Sequence, residues 1–365
     1  MTSDLAALAE RRAGLAALLG LLLIEEPGPE LGDLVGGHPS LAPLASGDPA
    51  IAGDYERIFL RGVAPYESVF RSDDGQQGGP VLAELLATYE RIGYDEFRDG
   101  RWRVAGADHL GLELRCLAGL CLAEAAAWRD DDPAHAVEAV DNERRFLADH
   151  LSRWAQPALD AAAAFADGSP YLAVIEATSE FLAAEHDRLR PRPVLGAIEP
   201  PAPLPTNLGP ARLARLLLAP ASAGCWLSRD AVSRAADAIG SPWRPSDTRS
   251  ALRHLVQAAE DSGDLRALLA PVGDDVGRAV VAHRRRAELD SGNELTWREW
   301  EGRAQAMLAL IEAIAARDRL SAATPAVAER LIISGGDAAA LAAFVDSVVD
   351  AAREAGFDIE RDGRD

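Results

Sequence analysis

An all-α protein is predicted by three features of the sequence. Alanine and leucine dominate its apolar positions. Alternating runs of β-branched residues, the mark of half-buried strands, are almost absent. Apolar residues recur at helical spacing between proline and glycine punctuation. The expected architecture is a helical bundle followed by a second, smaller helical domain. With 365 residues the chain has the length of about two domains, and 48% apolar residues suffice for a sizeable core.

The elements follow in order. Arg11-Arg12 precede an apolar run from Ala13 to Ile24, as in an export signal. However, Asp4 and Glu10 sit in the would-be basic region, and Glu25-Glu26-Pro27-Gly28-Pro29 follows without an A-x-A site. The run is too short to span a bilayer. It reads as a first core helix ending before Pro27, in a cytoplasmic protein. Pro80 opens Val81–Ile92, and Gly93 ends it. Asp108 is expected to cap a helix reaching about Trp128. That helix carries Leu110, Leu114, Leu117 and Cys121 on one stripe and Leu112, Cys116 and Leu120 on another, so it is expected at the centre of the bundle. Asp132-Pro133 starts a further helix. Val137–Trp154 is expected to stop before Pro157, followed by Ala158–Ala166 and, after Ser169-Pro170, by Tyr171–Asp187.

Seven prolines between Arg190 and Ala211 exclude a helix there and mark a linker at 191–210. The domains are therefore expected at 1–190 and 211–365. In the second, helices are expected at Ala211–Leu218, Ser228–Ile239, Asp247–Asp261, Asp274–Leu289, Leu295–Arg317 and Asp337–Glu354, before a charged tail at 358–365.

Charge and missing motifs exclude several functions. The sequence contains no lysine: all 37 basic residues are arginine, against 58 acids, for a net charge of −21. This excludes a general nucleic-acid binder and argues against anionic lipid. Most of the excess lies in residues 1–190, where 16 Arg face 33 Asp and Glu. Such a surface is suited to solubility or to a cationic partner. Without lysine no P-loop is possible, and HExxH, GxSxG and a strand-borne GxGxxG are absent. The three cysteines, Cys116, Cys121 and Cys225, form neither a disulfide framework nor a CxxC pair.

Two clusters stand out. His109 and Glu113 share one helical face. They suit a metal or an acid–base pair, with His150 as a further candidate ligand; equally, Asp108 caps the helix while His109 and Glu113 satisfy each other. A third reading is recognition of a guest arginine by carboxylates on an otherwise apolar helix. The second cluster is aromatic: Tyr55, Ile58 and Phe59 on one face, then Pro65-Tyr66-Glu67-Ser68-Val69-Phe70 after a turn. Aromatics are only 5% of the chain, so this is a local enrichment. It is either an ordinary core corner or an apolar peptide groove with an acidic rim.

Four motifs in order complete the pattern: Tyr55-x-x-Ile58-Phe59; Pro65-Tyr66-Glu67-Ser68-Val69-Phe70; Asp108-His109-Leu110-Gly111-Leu112-Glu113-Leu114; and Phe146-Leu147-x-x-His150-Leu151-x-x-Trp154. Over about residues 5–190 the chain resembles the TorD/DmsD/NarJ family of molybdoenzyme maturation chaperones, with Phe70 in place of a tyrosine and Ala107 in place of a proline. The resemblance implies an all-helical chaperone fold, no enzymatic activity and no cofactor of its own. It implies binding to the twin-arginine leader and apo form of a molybdopterin oxidoreductase subunit, assisting cofactor insertion and delaying export. Tyr55, Phe59, Pro65, Tyr66, Asp108 and His109 would line the peptide site, with Glu67 and Glu113 supplying negative charge. No nucleic acid and no stable membrane insertion are expected; a homodimer is a further expected partner arrangement. The alternatives are a metal-dependent helical-bundle enzyme using His109, Glu113 and His150, and a helical interaction module without leader specificity.

Overall fold

The computed structural model describes residues 2–333 apart from 27–31, 36–38, 47, 100–101, 103, 191–207, 242–247 and 291. The linker expected at 191–210 lies almost wholly outside the described residues, as do the helix expected at 337–354 and the tail. Among the described residues there is no strand; one isolated bridge pairs Tyr66 with His109. No described helix is long and apolar enough to cross a membrane.

The apolar run after Arg11-Arg12 is indeed a core helix, α1 (Thr2–Ile24). Next come α2 (Pro49–Tyr55), continued by a π turn over Glu56–Leu60; α3 (Glu67–Arg71); α4 (Gly79–Ile92); and α5 (Leu110–Arg129). Then α6 (Pro133–Phe146), a second π turn (Leu147–Leu151) and α7 (Ser152–Ala163) run on without a break before α8 (Tyr171–Leu189). The central position expected for α5 holds: Leu110, Leu112, Leu114, Cys116, Leu117, Leu120 and Cys121 are all buried. Against it lies the small-residue face of α1, with Ala9, Ala13, Ala16 and Gly20 buried. The backbones touch at one point. A Cβ on Gly20 would stand 2.6 Å from the Gly111 carbonyl oxygen, and one on Gly111 would stand 2.5 Å from that of Gly20.

One expected break is corrected. Pro157 lies inside α7 rather than before a new helix, and α7 ends at Ala163. A proline within a helix has no N–H for the carbonyl four residues back, here that of Arg153. That carbonyl accepts instead from the Trp300 indole N–H at 3.1 Å.

The remaining long helices are α9 (Pro210–Leu218), α10 (Arg229–Ala238), α11 (Thr248–Ser262), α12 (Leu265–Leu289) and α13 (Glu294–Ile333), with a single turn at Pro220–Ala223 between the first two. Ser228 caps α10 by accepting from the Ala231 N–H at 3.1 Å. Buried apolar side chains form two cores. One holds residues of α1 to α8; the other is built from Leu213, Leu217, Val232, Leu252, Leu268, Val272, Met307 and Ile311, among others. The second body packs on the first through Trp226 and Trp300, and through an Arg286–Asp160 ion pair at 2.6 Å.

A buried ion cluster ties the first core together. Arg12 on α1 donates to Glu124 on α5 at 2.7 Å, to Glu185 on α8 at 2.8 Å and to Glu143 on α6. Arg188 on α8 also donates to Glu143, and to Glu185 at 2.8 Å. The Glu143 side chain is fully buried, and those of Arg12 and Glu185 are 10% and 4% exposed. Burial pushes the Glu143 carboxyl up to about 7 against the opposing pull of Arg12 and Arg188.

Removing one partner of such a cluster leaves uncompensated buried charge. Arg12→Ala is expected to lower the unfolding free energy by about 3–5 kcal/mol in urea titrations. Arg11→Ala, on the exposed face of the same helix, is expected to change it by less than about 0.5 kcal/mol.

Candidate functional site

The second and third sequence motifs meet backbone to backbone. The Leu110 N–H donates to the Pro65 carbonyl and the Glu67 N–H to the Asp108 carbonyl, each at 2.9 Å. Between these bonds the Tyr66 and His109 rings meet edge to face, with centroids 5.0 Å apart. The short bridge exists because both strands of chain enter helices here. Tyr66 is the extended residue before α3, and His109 the extended residue before α5.

The side chains complete the junction. Asp108 was expected to cap α5; the capping residue is His109. Its Nδ1 accepts from the Gly111 N–H at 3.1 Å. That role requires an unprotonated Nδ1, and burial holds the imidazole down to about 3. Asp108 faces the other way: its Oδ2 accepts from the Ser68 backbone N–H at 3.0 Å and from the Ser68 hydroxyl. Ser68 Oγ accepts in turn from the Gly78 N–H at 2.8 Å. Gly106 makes room for the carboxylate, since a Cβ there would stand 2.6 Å from Asp108 Oδ1.

Glu67 and Glu113 also point inward. Glu67, fully buried, accepts from Arg71 and lies 3.1 Å from Nδ1 of His150, whose Nε2 is 3.0 Å from Thr88 Oγ1. The pairing of His109 with Glu113 does not form. Glu113 Oε2 instead accepts from the Trp154 indole N–H at 3.4 Å, while Oε1 has no partner. Burial, with the charges of Glu67 and Asp108, pushes the Glu113 carboxyl well above the usual carboxylate range, so it is held as the neutral acid.

The expected aromatic groove divides. Tyr55 and Phe59 form a ring cluster with Tyr171, with centroids 5.5–5.7 Å apart, and Tyr55 donates to the Ile24 carbonyl at 2.7 Å, closing the end of α1. Tyr66 belongs to the other junction, where its hydroxyl accepts from the Ala105 N–H at 3.0 Å. Of the eight expected site residues, Tyr66 alone is half-exposed; Tyr55, Phe59, Pro65, Glu67, Asp108, His109 and Glu113 are buried. The expected open acidic rim is therefore an interior polar junction in this conformation. Its carboxylates face donors of the other motifs: Asp108 accepts from Ser68 and Glu113 from Trp154, while Glu67 meets Arg71 and His150.

His109, Glu113 and His150 do not converge as ligands, each being committed to a separate partner. Among the described residues, no group of three or more histidine, cysteine, aspartate or glutamate side chains is arranged to hold a metal. Ser68 and Trp154 were missed as functional parts of the junction, although both lie within the motifs. Their signal was a polar hydroxyl and an indole N–H at positions otherwise reserved for core side chains.

The neutral state of Glu113 gives a pH test. Below about 4.5 the carboxyl is protonated in both folded and unfolded chains. As pH rises above that value, the unfolded state loses the proton while the folded state keeps it, so this group destabilises the fold progressively. Glu113→Gln is expected to relieve that loss: its urea midpoint relative to the parent protein should be more favourable at pH 8 than at pH 5. The opposite slope would show that Glu113 is ionised in the fold.

Comparison with known proteins bears on the same segment. Residues 29–160 match the family described as nitrate reductase delta subunit. The chain is 35% identical over 115 residues to the chlorate reductase assembly chaperone protein of Ideonella dechloratans, covering 30% of this chain and 56% of that protein. It is 40% identical over 92 residues to the selenate reductase assembly chaperone protein of Thauera selenatis, covering 25% of this chain and 44% of that protein. The chain thus spans about half the length of the curated relatives it matches. All four motifs fall inside the matched residues, and over this segment the chain is similar to the TorD/DmsD/NarJ family of molybdoenzyme maturation chaperones.

Proposed function

We propose that the chain is a cytoplasmic maturation chaperone for a molybdopterin-containing oxidoreductase. It binds the apo subunit and its twin-arginine leader, keeps the subunit open to cofactor insertion, and delays export until insertion is complete. It performs no catalysis and carries no cofactor of its own. The observation that carries this reading is the family match over residues 29–160, the segment that contains the interlocked Pro65–Phe70 and Asp108–Glu113 motifs. The two relatives, named as assembly chaperones for chlorate and selenate reductase, support a reductase client.

Charge supports the same reading. A leader presents two adjacent guanidiniums followed by an apolar stretch. The first 190 residues carry 33 acids against 16 arginines, which draws such a segment in by long-range attraction. Because Asp108 and Glu113 are buried, this attraction comes from the outer surface and not from the junction itself. Guanidinium–carboxylate pairs at that surface weaken as salt shortens the Debye length.

The test uses the full chain and a synthetic leader with two adjacent arginines followed by an apolar run. Calorimetry is expected to show saturable binding that weakens between 50 and 500 mM salt, roughly as screening of exposed pairs requires. Replacing both peptide arginines with glutamine is expected to lower affinity about tenfold or more. Equal binding of both peptides would leave a chaperone without leader recognition.

A further inference from the structure

Between the two cores lies a cavity of about 360 Å³ that the family motifs do not account for. Its floor is aromatic. Phe70, the last residue of the Pro65–Phe70 motif, stacks on Trp226 with centroids 5.6 Å apart and planes 18° apart, and Trp300 lies 6.3 Å from the same ring. Asp160 and Phe165 wall it from the first body; Asp230 and His283 wall it from the second.

Two polar atoms on residues of this wall have no partner. His283 lies 2.8 Å through Nε2 from the Gly224 carbonyl, so Nε2 carries the proton and Nδ1 keeps a lone pair with no donor. The residue is 6% exposed, and burial holds its imidazole below the usual histidine range, in the neutral form. The Trp226 indole N–H likewise has no acceptor. Buried groups of both kinds are normally paired. An unmet donor and an unmet acceptor on side chains that line an aromatic cavity suit a peptide amide, whose carbonyl can accept from Trp226 and whose N–H can donate to His283 once the cleft widens to reach them. The charge favours a cation beside it. Arg234 and Arg278 are both held by Asp275, and Asp160 takes Arg286, whereas Asp230 is exposed with no ion-pair partner among the described residues.

We propose that this cleft receives an extended, apolar polypeptide segment of the client with an adjacent basic residue, and that the carboxyl-terminal body is its second jaw. The proposal rests on the chaperone reading above. The apolar side chain lies against Phe70 and Trp300, the backbone amide meets Trp226 and His283 as the jaws part slightly, and the cation meets Asp230.

The test titrates the full chain against a fluorescein-labelled synthetic peptide carrying two adjacent arginines and an apolar run, read by anisotropy. Trp226→Phe keeps the ring and removes only the N–H; it is expected to weaken binding roughly five- to tenfold. Asp230→Asn, at an exposed position, is expected to weaken it at low salt and to reduce the salt dependence. His283→Phe gives a third measure where it folds; the other two decide the matter where it does not. Binding by the parent protein with Trp226→Phe and Asp230→Asn unchanged overturns the cleft and leaves the chaperone reading standing. Failure of the parent protein to bind overturns both.

Discussion

The first core depends on one buried guanidinium. Arg12 reaches out of an alanine- and leucine-rich helix and is met by carboxylates from α5, α6 and α8. Without it, α1 offers α5 a nearly uniform small-residue face, against which several rotations or offsets would bury similar area. A charge that must find all of its partners admits one arrangement. The net stabilisation from such a cluster is modest, because desolvation opposes attraction; its clearer contribution is to specify which turn faces which. The same residue shows what Arg11-Arg12 and the apolar run behind it do in the fold. One arginine serves the interior, the other faces water, and the apolar run is core.

The motif junction follows the same logic at smaller scale. Pro65–Phe70 and Asp108–Glu113 are far apart in the chain, yet each supplies what the other lacks. Asp108 receives the first N–H groups of the segment that starts α3, while His109 caps α5. Polar residues in this interior are matched to backbone donors that helix starts leave unsatisfied. A junction built this way is a stiff mount, and Phe70 at its far end enters the space between the two bodies.

Helix existence was legible in the sequence because it depends on local spacing and local caps. The burial of α5 on more than one side, the start of α6 at Asp132-Pro133 and the stop of α4 at Gly93 all follow from neighbours within a few residues. What was illegible depends on distant partners. Pro157 reads as a stop until Trp300 takes the Arg153 carbonyl it frees, 147 positions away from that residue. Asp108 reads as a cap until Ser68 claims it. The acidic rim reads as open because residue type reveals charge and not the donors that fold over it. In the second body the helices were legible, but the contact of Trp226 and Trp300 with the first core was not.

The buried face of α1 includes Ala9, Ala13, Ala16 and Gly20, and at Gly20 the two helices come so close that the Gly111 carbonyl oxygen occupies the space a methyl group would need. Along this seam the ordinary ranking of core substitutions is inverted. Elsewhere in a protein interior trimming a side chain is the harmful change; here there is almost nothing left to trim, and each added carbon must wedge the two rods apart. A larger side chain at Gly20 is therefore expected to cost more than the same change on the outward face of α1.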